Sequence, residues 1–158
     1  MKAIVLAAGY ATRLQPYTTN FPKPLLKVDG RPLLDFTIES ILAAGVSSIY
    51  VVTNHRFYAH FAAWRERFCE VRKDADIVIV DDGTSTNEDR LGSIGDLDFT
   101  IDQHGIDDDL LVTCADKRFS FDLGDFVATF RRTGGAFRLS TSAILWRSAT
   151  AAPNPSAQ

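Results

Sequence analysis

At 158 residues, with 46% hydrophobic and 23% charged positions, the chain can bury one compact core and is too short for two ordinary domains. A net charge of -3, with no basic stripe interleaved with exposed aromatics, excludes the electrostatic footprint of a nucleic-acid binder and leaves a small molecule as the expected partner. The two cysteines, Cys69 and Cys114, lie far apart without metal-ligand spacing and fit buried thiols of a reduced, cytoplasmic protein, while no apolar run approaches the length of a membrane span.

Four short apolar runs, 3–7, 49–53, 77–80 and 110–114, are rich in branched residues and do not alternate with polar ones. That pattern predicts strands buried on both faces. Segments with helical spacing lie between them, as βαβ units of a parallel sheet require. The first helix is expected to begin near Pro32, to bury Leu34, Ile38, Ile41 and Leu42, and to stop at Gly45, proline suiting a first turn and glycine a helix end. Asn54 can cap a second helix whose Phe57, Phe61, Trp64 and Phe68 form an aromatic stripe, read as core rather than ligand platform. A third helix is expected to carry Leu91, Ile94, Leu97 and Ile101 before Gly105, with Asp96 and Asp98 diluting its stripe. A fourth places Leu123, Phe126, Val127 and Phe130 on one face behind Asp122 as a cap, ending at Gly134 and Gly135. Residues 136–158 are less orderly, with a strand expected around 142–146 and a mobile tail over the last eight or so positions.

In an open parallel sheet ligands bind beyond the carboxyl ends of the strands. The loops to read are therefore 8–23, 54–56, 81–90 and 115–121. The first is long for a strand-to-helix connection and holds Gly9, Thr12, Arg13 and Lys23. Glycine lets a phosphate approach the backbone, arginine offers a bidentate fork and lysine a compact cation. Composition alone equally allows a surface loop with two solvated cations. Asp116 follows the fourth strand, where a carboxylate could bridge a hard cation to phosphate oxygens, or could cap a turn or pair with Lys117 or Arg118. The polar loop Asp81, Asp82, Thr84, Thr86 and Asn87 could bond a base or sugar, or serve as turn chemistry. His55, His60 and His104 lack metal spacing and read as structural or exposed.

One stretch carries more than composition. Leu6-Ala7-Ala8-Gly9-Tyr10-Ala11-Thr12-Arg13-Leu14-Gln15-Pro16-Tyr17-Thr18, then Phe21-Pro22-Lys23-Pro24-Leu25-Leu26-Lys27-Val28 and Gly30-Arg31-Pro32-Leu33-Leu34, closely resembles the signature of the nucleotidyltransferase family, which includes sugar-1-phosphate nucleotidyltransferases and phosphocholine cytidylyltransferases. Val52-Thr53-Asn54-His55, Asp81-Asp82-Gly83-Thr84, Leu91-Gly92-Ser93-Ile94-Gly95-Asp96 and the segment 111–121 follow in the family's order, so the likeness covers roughly residues 1–133. It implies a Rossmann-like, doubly wound α/β fold, a mostly parallel sheet with helices on both faces, over residues 1–135. It also implies a reaction in which a nucleoside triphosphate and a sugar 1-phosphate, or a similar phosphorylated acceptor, give an NDP-sugar and pyrophosphate. By that likeness Leu6, Ala7, Ala8, Gly9 and Thr12 contact the nucleotide, Asn87 and Gly92 lie near its base, Arg13 and Lys23 act in catalysis on the phosphates, and Asp116 ligates Mg2+.

Three positions depart from the family's pattern. Ala11 stands where many members have glycine, a costly change if the backbone there takes positive φ. Cys114-Ala115-Asp116-Lys117-Arg118-Phe119 has alanine in place of the usual glycine before the aspartate and charged residues after it. A second half, expected to supply a sugar-phosphate lysine and a further metal-binding aspartate, cannot be located, so the chain reads as truncated with a divergent end at 136–158. The open alternatives are a non-catalytic nucleotide-binding domain and a phosphocholine cytidylyltransferase-like enzyme. A second copy of the chain could complete the site in a homo-oligomer.

Overall fold

The structure, a computed structural model, describes residues 1–133, 137–139 and 143–146. β1 (Lys2–Leu6), β4 (Ser48–Thr53), β5 (Asp76–Asp81) and β6 (Leu110–Cys114) form the parallel part of a six-stranded sheet ordered β5-β4-β1-β6-β8-β7. β8 (Ala143–Trp146) pairs antiparallel with β6, and β7 (Phe137–Leu139) antiparallel with β8. The expected strand near 142–146 is thus present from Ala143. The expected mobile tail lies outside the described residues, as do Gly134, Gly135 and Ser142.

The lack of alternation in the strands is explained by two apolar clusters, one on each side of the sheet. Ala3 and Val5 of β1 face α1 (Leu33–Ala43), α2 (Tyr58–Val71) and α4 (Leu123–Thr133), while Ile4 faces the layer of α3 (Gly92–His104). The second helix's stripe is core, as its spacing predicts: Phe57, Phe61, Trp64 and Phe68 are all buried. Trp64 Nε1 donates to Asp35 Oδ1 on α1 at 2.8 Å, so the indole ties two helices together without an unpaired polar edge. On α1, Leu34, Ile38 and Ile41 are buried and Leu42 only partly so. Asp122 Oδ1 accepts from the backbone N–H of Gly124 at 2.7 Å at the start of α4.

One short hairpin is additional to the expected elements. β2 (Lys27–Val28) and β3 (Arg31–Pro32) pair antiparallel around Asp29 and Gly30, both at positive φ. Two central residues with positive φ make the tight turn whose twist matches a hairpin, and Asp-Gly is its usual signal.

The third helix corrects its expected stripe. It runs from Gly92 to His104 and ends on Gly105 in the left-handed region, but Ile94 is 84% exposed and Leu91 is exposed too, while Asp96 and Thr100 are buried. Leu97 and Ile101 pack partly against the sheet, so the phase of α3 follows positions 96, 97, 100 and 101. Tertiary packing overrides the apolar count because α3 lies against β1 and β4, and its first turn comes close to Asp82, which is also buried. Burial, with the nearby Asp82 adding to it, pushes the Asp96 carboxyl up to about 7.

Two predictions follow from this architecture. Ala11 adopts φ 47 and ψ 42, a left-handed conformation that burdens a residue with a Cβ. Ala11→Gly should therefore stabilise the fold by about 1 kcal/mol, read as a shift in the denaturant midpoint; a loss of stability would mean that the methyl packs usefully. The folded chain keeps a proton on Asp96 at pH values where the unfolded chain, with its ordinary carboxyl near 3.8, has released it. Its penalty is absent below the ordinary value, grows as pH rises toward 7 and is complete above that. Asp96→Asn should raise the melting temperature at pH 8 and progressively less toward pH 4; an equal gain at both ends would contradict the assignment.

Candidate functional site

The chain runs from β1 outward through β4 to β5, then returns across the sheet to β6 on the other side of β1. Strand order reverses there, and such a switch point opens a crevice at the carboxyl ends of the strands. A cavity of about 380 Å³ occupies it. Its wall comes from Leu6, Ala7, Ala8, Gly9 and Ala11 after β1, from Lys23 and Pro24, from Cys114, Ala115 and Asp116 after β6, and from Arg90, Gly92, Ser93 and Asp96 at the start of α3.

Hydrogen bonds between distant segments hold this wall. The buried Asn54 donates from Nδ2 to the Ala8 carbonyl at 2.8 Å and accepts from the Phe57 N–H at 3.0 Å, so the residue expected only as a cap also fixes the β1 loop. The Ala115 N–H donates to the Leu6 carbonyl at 3.0 Å, and the buried Thr37 hydroxyl of α1 donates to the Lys117 carbonyl at 2.7 Å. Thr18 donates to the Ala11 carbonyl at 2.9 Å and steadies the strained residue. A Cβ added at Gly9 or Gly92 would meet nothing within 4 Å, so both backbones stand open to the cavity, and Gly92 needs glycine because its φ is +75°.

Of the residues expected at the site, Leu6, Ala7, Ala8, Gly9, Lys23, Gly92 and Asp116 share this wall. Lys23 Nζ is in direct ion-pair contact with Asp116 Oδ2, across 93 positions of sequence. Asp116 therefore pairs with neither Lys117 nor Arg118; Arg118 lies over the Phe36 ring at 4.7 Å and beside Asp29 at 3.8 Å. Thr12 and Arg13 sit on an exposed single turn just past the wall. Asn87 also lies outside it, its carbonyl accepting from Arg90 at 2.6 Å. The 81–90 loop is tied largely to itself: Asp82 Oδ1 accepts from the N–H and hydroxyl of Thr84 at 2.7 Å, and Asp89 from the N–H groups of Ser85 and Thr86. His55 is exposed and meets Asp81 at 2.6 Å.

Arg90 and Asp96 belong to the wall and were not expected there. The signal was present for Arg90, a cation two residues before Gly92. Asp96 carries no such signal, because helix periodicity makes it only a polar interruption of an apolar stripe. Cys114 carries no nucleophilic role, because burial and then the Asp116 carboxylate push its thiol up and keep it protonated. Chemically the site offers open backbone at Gly9, cations at Lys23 and Arg90, and one carboxylate beside Lys23, which suits a polyphosphate. Among the described residues no group of three or more His, Cys, Asp or Glu could hold a metal by itself, and no helix is long and apolar enough to cross a membrane.

The sequence model of the nucleotidyl transferase family matches residues 2–151. A protein of Sulfolobus acidocaldarius assigned as a mannose-1-phosphate guanyltransferase is 36% identical over 116 residues, which cover 73% of this chain and 30% of that protein. The mannose-1-phosphate guanyltransferase of Aspergillus fumigatus is 45% identical over 56 residues, 35% of this chain and 15% of the other. The chain thus spans under a third of the length of these relatives. Among solved structures, a Bacillus anthracis protein assigned as a glucose-1-phosphate thymidylyltransferase superposes with a TM-score of 0.73 at 21% identity, covering 86% of this chain and 52% of that one. A UDP-glucose pyrophosphorylase complexed with UDP-glucose gives 0.65 at 19% identity, covering 85% and 55%. At such identity these two speak for the fold alone, a mostly parallel sheet flanked by helices. With that fold, and a family match over nearly its whole length, the chain belongs to the nucleotidyl transferase family.

Proposed function

We propose that the cavity binds a nucleoside triphosphate and that the chain forms the nucleotide-binding part of an enzyme transferring a nucleotidyl group to a sugar 1-phosphate. The observation that carries this reading is the Lys23–Asp116 pair on the cavity wall beside the open backbone of Gly9. In the reaction a phosphate oxygen of the acceptor attacks the α-phosphorus, a P–O bond forms, the bond to the β-phosphate bridging oxygen breaks, and pyrophosphate leaves. The attacking oxygen is already an anion, so the reaction needs alignment and charge neutralisation rather than a strong base. Lys23 and Arg90 supply cations at the wall, and Arg13 reaches the outer phosphates from its exposed turn. Both arginines can grip phosphate oxygens bidentately.

Asp116 is the carboxylate that would hold Mg2+. One carboxylate together with phosphate oxygens and water is a usual donor set for that ion, and the partly exposed Asp116 at the cavity fits it. Bound there, Mg2+ would neutralise phosphate charge that builds up in the transfer. Lys23 would then exchange its carboxylate partner for phosphate oxygen. A second reading, binding without transfer, is favoured by the presence of only this one carboxylate beside Lys23 among the described residues. Ile144 and Trp146, exposed on β8, mark where further parts of such an enzyme, or a second copy, would pack. A cytoplasmic location suits substrates of this class.

Lys23→Ala and Asp116→Asn should each weaken Mg-nucleotide binding by about tenfold or more in isothermal titration, as expected for losing a hydrogen bond to a charged group, with little change in melting temperature. Arg13→Ala should weaken it less, since Arg13 stands outside the wall. Unchanged affinity in Lys23→Ala would remove the phosphate assignment. Pyrophosphate release on adding sugar 1-phosphates to the loaded protein separates transfer from binding alone.

A further inference from the structure

At the start of α3 the fold buries a carboxyl group that packing alone would not choose. Asp96 is only 5% exposed, lines the cavity, and has its Oδ1 sealed from solvent without a hydrogen-bond partner. Behind it lies Asp82, 6% exposed, with Oδ1 satisfied by Thr84 and Oδ2 likewise buried and unpartnered. The two carboxyls are within hydrogen-bonding reach of each other. Unsatisfied buried groups are uncommon, and each costs folding free energy unless something else completes it.

We propose that Asp96, backed by Asp82, selects the nucleoside: a carboxyl oxygen of Asp96 accepts a hydrogen bond from an N–H or O–H donor of the bound nucleotide's base or ribose. The proposal rests on the reading of this cavity as a nucleotide site. Asp82 follows β5 and Asp116 follows β6, on opposite sides of β1, so the acid pair marks the end of the crevice away from the Lys23–Asp116 corner. Cations stand at both ends of the wall, Lys23 beside Asp116 and Arg90 near Asp96, so it is the buried Asp96 carboxyl, and not the spread of charge, that marks where a donor of the nucleoside would sit. A proton shared between the carboxyls satisfies one oxygen of each and leaves the cavity side of Asp96 an acceptor. The ligand must therefore bring the donor, and a ligand without it leaves a buried acceptor unpaired, which is how sites built on hydrogen bonds reject close analogues. The same residue is predicted above to cost stability, as expected of a group retained for binding.

The test is isothermal titration of the full chain and its Asp96→Leu and Asp96→Ala variants, both without an acceptor, with GTP, ATP, UTP, CTP, ITP, the matching 2′-deoxynucleotides and inorganic tripolyphosphate. The parent should prefer one nucleoside by about tenfold or more. Both variants should flatten that preference while binding tripolyphosphate as the parent does. Flattening among bases, with a GTP-to-ITP difference lost if guanine is preferred, places the donor on the base; flattening between ribo and deoxy forms places it on the ribose. If the variants keep the parent's preference and affinity, the proposal is overturned. If the parent binds neither nucleotides nor tripolyphosphate, the cavity reading itself fails and takes the proposal with it. Asp96→Leu keeps much of the side chain's shape without an acceptor, so the test stands even if the alanine variant does not fold.

Discussion

The buried amide of Asn54 is the joint on which the rest of the site depends. It sits where β4 gives way to the turn leading into α2, and it bonds at once to the β1 loop and to the turn that starts the helix. Ala8 has no ladder partner once β1 ends, so without Asn54 its buried carbonyl would lie unpaired, at a cost of about 1–3 kcal/mol. With it, the loop that carries Gly9 is tied to the sheet at its first residue. The backbone link from Ala115 to Leu6 does the same from the β6 side. Long loops are otherwise the least ordered parts of a domain; here both ends of the cavity wall are fastened to the strand between them.

That fastening lets the site accept local costs. Ala11 holds a left-handed conformation, steadied by the Thr18 hydroxyl. Asp96 and Asp82 crowd two carboxyl groups into one buried corner. Strain and unpaired polar atoms collect at functional sites because the surrounding core can offset them, and both features here lie on or next to the cavity wall. Charged groups stand at both ends of it, with Lys23 and Asp116 at the β6 end and Arg90 and Asp96 at the start of α3.

Much of this was legible in the residue order. Unbroken branched runs announced a sheet covered on both faces, and the aromatic spacing after Asn54 announced the helix that covers one of them. The fixed spacing from Leu6 through Lys23 marked the ligand loop. The hairpin at Asp29-Gly30 had a local signal as well. The phase of α3 did not, because its apolar residues allow more than one face inward; Ile94 is exposed and Asp96 buried because of how the helix packs on the sheet, not because of its own residue order.

Local chemistry and periodicity by themselves determined the α/β class and the order of the main strands and helices, and the likeness of the ligand loop to a known signature pointed to its family, since those depend on residues close together in the chain. Only the tertiary structure decided that Lys23 meets Asp116, that Arg90 faces the cavity while Arg13 and Asn87 stand outside its wall, and that Asp82 and Asp96 share one buried corner. Each of those facts joins segments carried by different strands and helices. Their meeting is set by sheet order and helix phase, which depend on how the whole core packs.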